Sequence, residues 1–271
     1  MTDRAQLDLF GDRAPIDGHA DGAEVQRLAP ESLSDAALIA AIPDAGLADA
    51  CALAAEAGRR QSSGAVKALV ALCHRFVGFG AEHKVPEQAA ALEALAAIGG
   101  PEASRAVVEM IVKGVVQGPT LVVAVTAASQ LDAKFPSALA LQLLRSSDPA
   151  MRASACACVR PGPEIVAALI ELLVDRDLEV STAAACALGL MGRVEARDPL
   201  KRRLNERPLP RVIEAVAGIA DEEAVVFLAR IGRARPEFAV AVLSALDEID
   251  GARAAAAAAG LRRWLESAER R

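Results

Sequence analysis

The chain of 271 residues has no tyrosine, one tryptophan and six phenylalanines, so aromatics make up 3% of it. Sheet sandwiches and barrels lean on aromatic and β-branched side chains, and this scarcity argues against them. Histidines number three, His19, His74 and His83, too few and too scattered for a histidine metal centre. His19 lies in a polar terminal stretch. Cys73 and His74 are adjacent, which on a helix turns them about a hundred degrees apart. There is no Cys-x-x-Cys, no His-Glu-x-x-His, no phosphate-cradling glycine loop and no nucleophile elbow. Five cysteines (Cys51, Cys73, Cys156, Cys158 and Cys186) form no disulfide framework. Their odd number fits a reducing compartment. Cys156 and Cys158, two apart on an alanine-rich helix, fall on opposite faces and suit neither a redox pair nor a shared metal.

Long apolar runs are also missing. Lys113, Gly118 and Pro119 interrupt the most hydrophobic stretch, and the first residues carry Asp3, Arg4, Asp8 and Asp12 where a secretory signal would need an apolar core. The expectation is a cytoplasmic protein without a membrane partner. The net charge of −6 and pI near 5.3 leave no basic surplus for a phosphate backbone, so direct nucleic-acid binding is not expected. Lys201-Arg202-Arg203 and Arg262-Arg263 are local clusters, and solvated helix faces account for them.

What is abundant is Ala, Leu and Val: hydrophobic residues are 53% of the chain. Alanine allows close helix approach without side-chain entropy loss. From about Leu33 onward short helical patterns follow one another, many of them opened by proline: Pro86, Pro101, Pro119, Pro136, Pro149, Pro163 and Pro236. Proline at the first helical position sacrifices no hydrogen bond. Glu87, Glu102, Glu164 and Glu237 follow four of them, at the positive end of the helix dipole.

The chain also repeats itself. Ile98-Gly99-Gly100-Pro101-Glu102-Ala103 returns as Met191-Gly192-Arg193-Val194-Glu195-Ala196, as Ile219-Ala220-Asp221-Glu222-Glu223-Ala224 and as Ile249-Asp250-Gly251-Ala252-Arg253-Ala254. Degenerate copies start at Leu131 and Val159, and successive anchors lie 28 to 33 residues apart. Each copy is the turn inside a helical hairpin, and a period near thirty is that of an α-solenoid. The expected fold is all-α: a right-handed α-solenoid of stacked helical hairpins. Residues 86–271 hold about six of them, residues 32–85 an irregular helical cap (helices near 33–42, 47–58 and 64–79), and residues 1–31 a flexible tail without periodicity. Phe76 and Phe79 are expected to supply core to the cap.

The clearest unit runs Asp175-Arg176-Asp177-Leu178-Glu179-Val180, then Ala183 to Gly189, then Met191-Gly192 and a second helix with Pro199-Leu200 and Leu204. It resembles the HEAT-like repeats of phycobilisome bilin lyases, whose pattern is an acidic turn, a Val, an alanine-rich helix ending Ala-Leu-Gly, and a second helix with spaced leucines. The likeness is strong over 175–205, fair over 86–113 and 208–270, and weak over 119–174. Family repeats often carry Arg after the Val, where this copy has Ser181, a departure bearing on any ladder between repeats. The resemblance implies that second helices, beginning near Glu102, Glu164, Glu195 and Glu222, line a concave groove for a protein partner.

Some solenoids of this kind are enzymes. Alkylpurine DNA glycosylases use a basic concave face with aromatic residues around an acid. This chain, with Trp264 on its last helix and a negative balance, departs from that pattern, and bilin lyase activity would rest on repeat likeness alone. No catalytic, cofactor or metal residues are assigned.

Within the tail stands Gln6-Leu7-Asp8-Leu9-Phe10. All five positions resemble the bacterial sliding-clamp binding motif, Gln-Leu-(Ser/Asp)-Leu-Phe. The resemblance implies that Leu9 and Phe10 fill the clamp's apolar pocket, Leu7 assists and Gln6 bonds at the pocket edge, with Asp8 in the variable place. The alternative is that Leu7, Leu9 and Phe10 fold back to seal the first helix, since solenoid ends need capping. The expected function is a non-catalytic interaction adaptor tethered to the replication and repair clamp. A general scaffold with a structural tail is the alternative, and a solenoid glycosylase or lyase the third.

Overall fold

A computed structural model describes residues 29–269. Their regular structure is helical, with no strand among the described residues. Fifteen α-helices run in order: α1 (Asp35–Ala41), α2 (Leu47–Arg59), α3 (Val66–Arg75), α4 (Pro86–Ile98), α5 (Gly100–Val112), α6 (Gly118–Gln130), α7 (Ser137–Leu144), α8 (Pro149–Ala157), α9 (Pro163–Leu172), α10 (Leu178–Leu190), α11 (Arg197–Glu206), α12 (Pro210–Ile219), α13 (Glu222–Ala234), α14 (Ala239–Asp247) and α15 (Ala252–Glu269).

Local chemistry sets the helix ends. Pro86, Pro101, Pro119, Pro149 and Pro163 each open a helix as expected, and Pro210 opens α12 in the same way. Pro136 instead sits one residue ahead of α7, as its N-cap, and Pro236 begins a single 3-10 turn before α14. Asp148, Asp177 and Asp221 accept backbone N–H bonds at the starts of α8, α10 and α13, satisfying donors that no helix residue can reach. The turn inside most hairpins needs one left-handed residue: Gly99, Gly192 and Gly251 supply it, and so do Gln61, Asp132 and Ala220 with φ near +50°. The repeated anchors seen in the sequence are these turns.

The helices form two layers. First helices of successive hairpins pack directly on one another, α2 on α4 and onward through α6, α8, α10, α12 and α14. Among second helices close packing is confined to α3 on α5, α7 on α9 and α13 on α15. The layer whose members lie closer together is the inside of a curved double layer, so over most of the chain the first helices take the concave side. Small residues bring them together. A Cβ on Gly58 would lie 2.9 Å from the Ala94 Cα, and one on Gly218 2.5 Å from the Gly189 carbonyl oxygen. One core runs between the layers from Leu38 to Leu261, with Phe135, Leu53, Leu92, Leu144 and Leu169 fully buried.

Ion pairs tie neighbouring hairpins together. Arg152 on α8 donates to both Asp175 oxygens at 2.9 and 3.0 Å, and also to the Ser146 and Ser147 carbonyls. Counted from the helix start, Arg152 stands where α10 has Ser181. The ladder whose arginine is missing in one repeat is thus present in the repeat before it. Arg197 pairs with Asp221, Lys201 with Glu223 and Arg253 with Glu222, linking α11, α13 and α15.

At the N-terminal end Arg60 acts as a clasp. Its guanidinium reaches Glu56, Asp35 and the carbonyls of Pro30, Glu31 and Leu33, holding the chain before α1 against the end of α2. The Phe76–Phe79 expectation is half corrected. Phe76 packs against the core edge, whereas Phe79 is 73% exposed and leans edge-on to Phe76 from the loop after α3. That loop turns away from the core at Gly78, whose φ is +87°.

Candidate interaction groove

A hollow of about 570 Å³ lies on the first-helix side, across α6, α8, α10 and α12. This corrects the expectation that second helices line the groove. The reason is the tight alanine and glycine packing of the first helices, which puts them on the inside of the bend. Its floor is small and apolar: Ala150, Ala153, Ala157, Ala183 and Ala187, with Leu190 62% exposed at one end. The Thr126 and Ser154 hydroxyls bridge α6 and α8 at 3.1 Å.

Charges stand at the rim. Arg211 on α12 pairs with Glu179 on α10, at matching places in successive repeats. Lys134 donates to the Ala157 carbonyl at 2.6 Å, neutralising the negative end of α8. Asp132 and Glu214 also line the hollow and form no ion pair among the described residues.

Two thiols border the groove floor. Burial pushes the Cys156 thiol up to about 12 and the Cys186 thiol to about 11. Both therefore stay protonated near neutrality and are poor nucleophiles. Cys158 closes α8 as its C-cap residue, buried and likewise raised to about 12. No aromatic side chain among the described residues borders the hollow, and Trp264 packs partly buried on α15 instead. The carboxylates of the groove are thus not framed by the aromatic residues that base recognition would need.

The clamp motif expected from the sequence, Gln6, Leu7, Asp8, Leu9 and Phe10, lies outside the described residues. No helix among the described residues is long and apolar enough to cross a membrane. The groove residues escape sequence reasoning because alanines on the first helices read as packing positions. A signal is available in α6, which carries no charge, and α8, whose single charge is Arg152.

A profile of the HEAT repeats family matches residues 137–220. The match covers α7 to α12, so it reaches into the stretch whose likeness is weakest by sequence. Among solved structures, the crystal structure of an engineered protein is similar at 20% identity, over 85% of this chain and 95% of that one, with a TM-score of 0.33. No curated protein matches. The described residues form a HEAT-like α-solenoid, a repeat scaffold of stacked hairpins.

Proposed function

We propose that this protein is a non-catalytic adaptor: its solenoid holds a protein partner, and its N-terminal Gln6-Leu7-Asp8-Leu9-Phe10 hooks it to the bacterial sliding clamp in DNA replication and repair. The observation that carries the adaptor reading is the open first-helix groove, floored by small apolar residues and rimmed by charge. Solenoids present extended surfaces of this kind to other chains. The groove thiols are held protonated and Glu179 is engaged by Arg211, which supports a surface for holding rather than for chemistry. The free cysteines suit a reducing, cytoplasmic setting.

The tether rests on the five-position motif match. Its test is binding of purified clamp to the intact protein and to a Leu9→Ala/Phe10→Ala variant. Binding by the intact protein that the variant loses supports it; equal binding by both, or none by either, sinks it.

A second reading, a scaffold whose first residues seal the solenoid end, is favoured by the Arg60 clasp, which already holds Pro30 to Leu33 on α2. It predicts that replacing Leu7, Leu9 and Phe10 by serine lowers the melting temperature, whereas the tether reading predicts no change.

A further inference from the structure

We infer that the first-helix groove between α6 and α12 receives an amphipathic helix from a partner protein, apolar on one side and flanked by lysine or arginine. The inference rests on the adaptor reading and names the chemistry of the partner.

The floor sets the first half of the description. Ala153 and Ala183 lie half-buried on neighbouring helices, so a visiting backbone could approach closely, and Leu190 offers an exposed apolar anchor at one end. A hollow of about 570 Å³ falls in the range that shaped binding sites occupy. The visitor meets helix faces and no free strand edge, because no strand exists among the described residues. Helix-in-groove docking, with apolar anchors spaced three and four apart, is the matching recognition mode.

The rim sets the second half. Arg211 is paired with Glu179, whereas Lys134, bonded to the neutral Ala157 carbonyl, keeps its positive charge at the rim. Asp132 and Glu214 carry no such partner among the described residues, and further along the same face Glu93 on α4 is exposed and unpaired as well. The C-terminal ends of α6, α8 and α10 converge on one edge of the hollow, at Ser129, Ala157 and Leu190. Carbonyl ends add partial negative charge there. Three carboxylates (Asp132, Glu179 and Glu214) line the hollow against two cations (Lys134 and Arg211), so its net charge is negative and a cationic visitor is the one it attracts.

That sign argues against two other occupants. Nucleic acid would be repelled by its phosphates. Residues 1–28 hold six acidic residues against three arginines, so the chain's own tail would bring like charge to the rim.

The test selects a random 16-residue peptide-display library on the full-length protein, with counter-selection on the Ala153→Arg variant. Enriched peptides are then made with a fluorophore and titrated by anisotropy. The expected winners carry apolar residues at helical spacing flanked by Lys or Arg. Their affinity falls about tenfold or more in Ala153→Arg, and several-fold in Asp132→Asn/Glu214→Gln. Should Ala153→Arg melt early, Leu190→Arg, at an already exposed position, replaces it. Enriched peptides that are acidic, that resemble residues 6–10, or whose binding ignores both groove substitutions would overturn the proposal. Clamp binding does not enter this readout, so the groove and the tether fail independently.

Discussion

Gly189 on α10 and Gly218 on α12 face each other across the first-helix layer, and a Cβ on Gly218 would stand 2.5 Å from the Gly189 carbonyl oxygen and 2.9 Å from the Leu190 Cα. The nearest neighbour of a Cβ at either glycine is backbone, which cannot swing away as a long side chain would. The closeness of α10 and α12, and with it the concavity of this face, depends on two missing methyl groups.

Gly218→Ala should therefore cost about 1–3 kcal/mol, although alanine is the better helix former. Chemical denaturation measures it directly. A stability equal to or above that of the parent would mean that α10 and α12 are not packed this tightly.

Ala220 makes the opposite case. It ends α12 in the left-handed conformation with φ of +55°, where a Cβ is strained. Ala220→Gly should raise stability by about 0.5–1 kcal/mol, read as an increased denaturation midpoint with an unchanged slope.

The Arg60 clasp predicts a local effect. Arg60→Ala removes the donors that hold Pro30, Glu31, Leu33 and Asp35 and should lower the melting temperature. Hydrogen exchange should speed up through α1 while the amides of α10 and α12 keep their protection. Uniform acceleration along the whole chain would show the clasp to be part of the global core instead.

Acid should loosen the same end and the Arg152 ladder. Hydrogen bonds from Arg59 and Arg60 hold the Glu56 carboxyl down to about 2, and Arg152 holds Asp175 below its usual value. Folded values depressed below the unfolded ones give stability that is present above about pH 4–5 and lost as pH falls toward the folded values. The melting difference between the parent and Asp175→Ala should accordingly be full at pH 7 and shrink below about pH 4. A difference that stays constant down to pH 2 would remove the ion pair from the account.

Much of the fold is legible because it is written in local chemistry. The turn anchors at Gly99, Gly192 and Ala220 and the helix-opening prolines act within a few residues, so their spacing exposes the hairpin period. The face that carries the groove is not legible. Which layer closes inward depends on pairs distant in sequence, such as Gly58 with Ala94 and Gly189 with Gly218, and no single helix reveals its partner. Ser181 misleads in a similar way. Its lack of an arginine points away from a ladder, yet Arg152, one hairpin earlier, reaches forward to Asp175. Size alone directs Phe79 to the core, while the backbone after α3 carries it into solvent.

The central claim is that partners are held on the first-helix face. Full-length protein, Ala153→Arg and Val226→Arg, the last at an exposed position on α13 in the second layer, should be matched for melting and recovered from native cells with whatever binds them. Quantitative mass spectrometry of the bound proteins then compares the three. The predicted result is that Ala153→Arg loses the body-bound partner while Val226→Arg keeps it. Retention by Ala153→Arg together with loss in Val226→Arg would place the working surface on the other layer and contradict the claim.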